Sequence, residues 1–427
     1  MSRLRAGVGR VDITPAIGAW LVGFAGRSGG ARAIRDGLLA TALVLDDGAR
    51  RAAILSCDLI ALHPRLVAQT RELVTEATGI PGAHLMICCT HTHSGPPGYA
   101  AEGSRPVDRA HAANLPFRLA GAVQLAHDRL QPARLAHDAG EVTIGINRRE
   151  VTGPGTTILG ENPAGPVDRS VGVLRVDTAD GTPLASVVNY TCHPVILGPR
   201  SLAVSADFVG QTRSIVESAT GVPMLFVQGA CGDINPLGGV RPDDANLLRL
   251  GTILAGEVVR IWAGIRQTTG EARLAAVRAE VELPVAELPG QAQGGGSWDV
   301  AARLEREFPW AVEMGEHGAQ MEVQALAVSD LGIVAHASEP FVETGLQIKA
   351  ASPFARTFFA GFANGCVGYV PVADAYPHGG YEVLQAYLGY RLPAPIAPAA
   401  EQLAVRAGLW ALGEARRQQA VHELTSE

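Results

Sequence analysis

The chain has 427 residues, enough for one large α/β unit or two to three smaller domains with a sizeable core. Charged residues make up 18%, hydrophobic residues 47%, with 50 glycines and 27 prolines, a loop-rich globular composition that excludes disordered, collagenous and coiled-coil chains. Lys and Arg number 35 against 42 Asp and Glu, a formal net charge of −7, which leaves no net positive field to gather phosphate backbones and argues against nucleic acid as a main partner.

Lys349 is the only lysine. A phosphate-binding loop of the GxxxxGK type is therefore absent, and Schiff-base chemistry would rest on one lysine in an unremarkable LQIKA context. No run approaches the ~18 consecutive apolar residues of a membrane span, and MSRLRAGVGRVDITP lacks the apolar core of a secretory signal. The expectation is a cytoplasmic chain without a membrane anchor. Cys57, Cys88, Cys89, Cys192, Cys231 and Cys366 form no CxxC pair and read as reduced, buried small hydrophobes.

In chain order, ATALVLDD and RAAILSCDLI read as strands, LVAQTRELVTEATG as a helix closed by Gly79, and AHLMICCTHTH as a strand running into a loop. VGVLRVDTADGTPLASVVNYTCHP predicts a hairpin turning at Asp180 and Gly181, and PMLFVQGACGD a strand entering a glycine-rich loop. Leu247, Leu250, Leu254, Val258 and Ile261 recur at helical spacing and predict a long core-facing helix from Asp244 to Ile265. The stretch 286–300 alone has linker composition and reads as a flexible loop or a lid. MEVQALAVSDLGIVAHASEP is a second β-rich run, and EQLAVRAGLWALGEARRQQ an amphipathic closing helix. This rhythm predicts an α/β chain forming a single domain over 1–427.

The segment THTHSGP, Thr90 to Pro96, follows the apolar strand LMICC. Histidines at i and i+2 share one side while a strand persists, so His91 and His93 are able to face one cavity. Two neighbouring histidines in a loop are equally often packing or surface residues. Three further strand ends carry groups of the same kind: His193 in NYTCHPV, His336 and Glu339 in VAHASEPFVETG, and Tyr369 in GCVGYVP. A hydrolytic zinc takes about three or four N/O ligands and keeps a place for water, and His91, His193 and Glu339 supply two imidazoles and a carboxylate. A tyrosine oxygen is an unusual ligand, and spacing alone does not select Tyr369.

Competing patterns fail on the same letters. Gly95 and Pro96 stand where a metallo-β-lactamase HxHxDH motif needs Asp and His, and Lys349 lies too late for the mid-barrel lysine of a binuclear amidohydrolase. GRSGG, Gly26 to Gly30, matches GxSxG formally, but no apolar strand leads into Ser28, so a plain loop is expected. Cys231 in QGACGD reads as a buried strand-end thiol more readily than as a nucleophile.

Together VGRVDITP, CTHTHSGPPGY, INRR, the SADF segment, QGACGDINP, ASEPFVETG and NGCVGYVP resemble, in order and from about Val8 to Tyr381, the catalytic domain of neutral, non-lysosomal ceramidases and their bacterial relatives. The resemblance implies a mixed-sheet α/β catalytic domain, here without the C-terminal immunoglobulin-like domain that often follows it. It implies one zinc ion per chain held by His91, His193, Glu339 and Tyr369, with His93 handling protons and Arg148 and Tyr381 on the substrate side. Two departures stand out. Asn235 occupies the place of the family's loop serine and cannot form an acyl-enzyme, and Cys366 replaces the first tyrosine of the family's NxYxxY pattern.

The expected function is a zinc-dependent hydrolase that cleaves an amide bond of a small soluble substrate with metal-activated water, with homo-oligomerisation left open. An esterase or lactonase on the same scaffold and a non-catalytic metal-bearing binding protein are the alternatives. Asp58, Asp207 and Asp233 are expected either to orient ligand histidines or to serve only as helix and turn caps.

Overall fold

Residues 4–100, 104–286 and 312–425 are described by a computed structural model. Eight strands form one mixed sheet in the order Met224–Gln228, Pro183–Tyr190, Ser170–Thr178, Gln131–Glu141, Arg5–Asp12, Leu39–Asp46, Arg51–Cys57 and Leu85–Cys89. Neighbours run antiparallel except for the outermost pair at each edge, which is parallel. A parallel pair needs a crossover, and the helices Pro64–Thr78 and Asp207–Thr220 supply one at each edge.

Side-chain alternation divides these strands between two apolar clusters. Leu43, Leu45, Ile54, Met86, Leu174, Val176, Val187, Leu225 and Val227 share one cluster with Leu326, Ile333 and Phe358 of a second, four-stranded sheet. The intervening residues, among them Val44, Leu55, Ile87, Val173, Val188 and Phe226, join the cluster that includes the helices. Burial on both faces explains why the strands read as continuous apolar runs. The second sheet, in the order Leu274–Leu283, Ala319–Val328, Leu331–His336 and Arg356–Ala360, is covered by the helix Ala400–Thr425.

The predicted long helix runs Asp244–Gly264 and buries the five predicted positions, and the hairpin turns at Asp180 and Gly181. The two edges of the large sheet approach each other: Ser56 Oγ donates to the Phe226 carbonyl at 2.7 Å and accepts from its N–H at 3.1 Å. The loops that leave Cys89, Tyr190 and Gln228 consequently lie side by side. All six cysteines are buried with free thiols. No helix among the described residues is long and apolar enough to cross a membrane. Of the stretch expected as a loop or lid, residues 287–300 lie outside the described residues.

His336, grouped with Glu339 in the sequence, is directed elsewhere. Its ring packs on Phe359 at 4.9 Å and faces Gly408 of the closing helix, and neither ring nitrogen has a hydrogen-bond partner. Burial lowers its pKa from 6.5 to about 3. Because the folded value lies below the unfolded one, its stabilising contribution is complete above about pH 6.5 and is lost as pH falls toward 3. In urea unfolding, wild type is expected to lose stability faster than His336→Leu by about 1.4 kcal/mol per pH unit between about pH 6 and 4; parallel curves would contradict this assignment.

Candidate metal centre

Strand alternation does not bring the THTHSGP histidines together, as the sequence suggested. The strand stops at Cys89, and His91 takes a left-handed backbone with φ 65°, uncommon for a residue with a Cβ. Its N–H donates to Leu59 O at 2.9 Å, and its ring stacks on Phe362 at 3.6 Å. His91 Nδ1 lies 2.7 Å from Ile60 O, His93 Nδ1 2.8 Å from Gly23 O, and His193 Nδ1 3.2 Å from Ile234 O. Gly23 has φ 101°, and a Cβ there would sit 2.5 Å from the His93 ring.

A carbonyl oxygen only accepts, so each Nδ1 carries the proton and each Nε2 presents a lone pair. The three Nε2 atoms converge. Those of His91 and His93 are 3.1 Å apart, and ligand atoms of all three histidines lie within 4.8 Å of one another. Burial pushes His91 and His193 well below the usual imidazole range and His93 down to about 3, and the Arg148 charge adds to the effect, so the rings are neutral. Lone pairs held this close repel unless a cation lies between them. His193 Nε2 and Glu339 Oε2 are both buried without a hydrogen-bond partner. The His91, His93 and His193 cluster can hold a metal ion.

Gln228, which the sequence gave no reason to single out, fixes the spacing of the two histidine loops. Its amide nitrogen donates to Thr90 O at 3.0 Å and Cys192 O at 2.8 Å, and its oxygen accepts from the N–H groups of Cys192 at 3.2 Å and Gly229 at 3.1 Å. The three aspartates considered for orienting the histidines do other work. Asp58 pairs with Arg213 at 2.7 Å, Asp207 receives Leu197 N at 3.1 Å and Phe208 N at 2.8 Å, and Asp233 receives Asn147 Nδ2 at 2.7 Å and Val342 N at 2.8 Å. Backbone carbonyls take the orienting role instead.

Glu339 and Tyr369 are directly paired on two short parallel strands, Glu339–Pro340 and Tyr369–Val370. Glu339 Oε1 is 3.7 Å from His91 Nε2, and Oε2 is 3.9 Å from His193 Nε2. Burial raises the carboxyl to about 7 against the opposing pull of the Tyr390 and Tyr369 hydroxyls and Arg148. Arg148 donates to Tyr369 Oη at 3.0 Å and to Asn235 Oδ1 at 3.4 Å. Glu382, another group without a sequence signal, receives Arg148 Nε at 2.8 Å and Arg149 Nη1 at 2.6 Å, tying both guanidiniums to the turn that begins at Tyr381. The Tyr381 ring stands 5.8 Å from that of Tyr369. Cys231 is fully buried with its thiol pushed well up, which makes it a poor nucleophile, and Ser28 lies on an exposed loop. All seven predicted site residues therefore gather in one neighbourhood.

This assembly can be set beside known proteins. Over 97% of this chain and 75% of the other, the fold matches a solved structure described as a ceramidase complexed with C2, with a TM-score of 0.74 and 18% identity. A neutral ceramidase from Pseudomonas aeruginosa matches with a TM-score of 0.71 and 19% identity over 96% of this chain and 75% of its own. These likenesses establish a mixed α/β fold of the ceramidase catalytic type. A segment of 217 residues is 25% identical to neutral ceramidase B of Dictyostelium discoideum, covering 45% of this chain but only 29% of that relative. The profile of neutral/alkaline non-lysosomal ceramidases, N-terminal, matches residues 4–236, more than half of the chain, and the chain belongs to that family.

Proposed function

We propose that the chain is a zinc-dependent hydrolase of amide bonds in small N-acyl substrates. The observation that carries this reading is the convergence of three donor-free imidazole nitrogens beside a buried carboxylate with an unpartnered oxygen. Structural zinc sites are commonly closed by cysteine and histidine, whereas this nitrogen and oxygen set suits a catalytic ion. The ceramidase names of the relatives, which denote N-acyl cleavage, support amide chemistry.

His91, His193 and Glu339, with the Tyr369 oxygen, would hold the metal. When bound, zinc supplies Lewis acidity and a solvent nucleophile at neutral pH. The remaining work falls to the chain itself. Two of the five Arg148 N–H donors lie beyond its bonds to Glu382, Tyr369 and Asn235, and these, with the Tyr381 phenol, would receive the charge that grows on the substrate carbonyl oxygen. His93, the partly exposed member of the trio, takes the proton released in the attack and gives it to the departing nitrogen. Burial keeps it unprotonated at rest. Asn235 serves as a hydrogen-bond partner of Arg148 and forms no covalent intermediate.

Purified protein is expected to carry about one zinc per chain by elemental analysis, and His91→Ala and Glu339→Ala to lose metal and turnover together on matched amide and ester substrates. A fully active metal-free preparation would refute the proposal. Asn235→Ala, assayed in the same way, should keep its metal and measurable turnover; complete loss of turnover with the metal retained would show that the side chain has an essential chemical role.

A further inference from the structure

We infer that Tyr390 is the positioning residue of the Glu339 carboxylate and thereby sets the metal affinity of the centre. The inference rests on the metal-site reading proposed above. The Glu339 side chain is only 2% exposed, and its two imidazole neighbours cannot donate to it, because their protons are on Nδ1. Its hydrogen-bond support comes from two phenols. The Tyr369 hydroxyl also accepts from Arg148, whereas the Tyr390 hydroxyl donates directly to Glu339 Oε1.

The surroundings hold that phenol in place. Tyr390 is 1% exposed, and its oxygen lies 3.8 Å from the small Cys366 thiol. Its ring lies against Gly368, which has φ 97° and where a Cβ would approach Tyr390 Cδ2 to 2.8 Å. The Gly368 carbonyl in turn accepts the Glu339 N–H at 2.8 Å. One stretch of backbone therefore fixes the main chain of Glu339 and seats the ring that fixes its carboxylate. A carboxylate held by a hydroxyl meets an ion with less freedom left to lose, which is how groups just outside a metal's ligands tune its affinity.

The test compares zinc dissociation constants of wild type, Tyr390→Phe and Tyr376→Phe by chelator competition, together with the thermal midpoints of the metal-free proteins. Tyr376 is the control, since its partly buried phenol donates to Ile396 O. Tyr390→Phe is expected to bind zinc about 10–100-fold more weakly. Tyr376→Phe is expected to lower the midpoint while leaving zinc affinity at the wild-type value. If Tyr390→Phe is not recovered as folded protein, Tyr390→Leu provides the same comparison. Zinc affinity of the Tyr390 variant within about twofold of wild type, or an equal loss in Tyr376→Phe, overturns the inference. Wild type that binds no zinc removes the metal-site reading along with it, whereas wild type that binds zinc tightly and is matched by the Tyr390 variant removes this inference alone.

Discussion

A primary amide offers two N–H donors and one oxygen able to accept twice, and Gln228 uses all four against backbone groups of the loops around it. Because these bonds are made in full burial, each would be costly to leave open, so the separation of Thr90 from Cys192 is closely set. His91 and His193 follow those two residues directly. The gap between the His91 and His193 imidazoles depends on this spacing. The curvature that brings the sheet edges together at Ser56 and Phe226 makes the amide bridge geometrically possible.

The groups with the least freedom in this site are those least visible in the sequence. Period-2 and helical spacing were enough to place the strands around Leu43, Met86 and Val187 and the helix carrying Leu250 and Leu254, because those patterns report burial directly. THTHSGP stood out because two imidazoles at a strand end are chemically conspicuous. The means by which His91 and His93 meet was misread, since a left-handed residue at 91 leaves no trace in composition. Backbone carbonyls that orient a ring have no letter of their own, and the aspartates that looked suited to that role are taken up by Arg213, helix N–H groups and Asn147. Gln228, Tyr390 and Glu382 are ordinary letters in ordinary contexts, and only their distant partners give them significance. His336 shows the converse: three residues from Glu339 in sequence, it faces a different layer of the fold.

Electrostatically, the Arg148 charge acts on the histidines before any ion enters. Arg148 and Arg149 share one carboxylate, Glu382, the three histidines are neutral, and burial raises the Glu339 carboxyl to about 7. On the proposed function an entering dication would meet that charge but gain the lone pairs of His91 and His193 and the ionised form of Glu339. A carbonyl oxygen gaining negative charge meets only the favourable side. On the proposed function, Arg148, anchored to Glu382, would supply the positive charge that such an oxygen needs.

The polar centre is also spread very unevenly along the polypeptide. The three imidazoles, Gln228 and Arg148 all fall within residues 4–236, whereas Glu339, Tyr369, Tyr381 and Tyr390 emerge from the ribosome later. Synthesis from the N-terminus thus exposes the nitrogen donors well before the oxygen donors exist. A metal captured by a half-made chain would meet an unfinished coordination shell, unlike a zinc finger, whose ligands lie close together and whose fold waits for the ion. Here the two apolar clusters give the finished chain a basis for folding without metal.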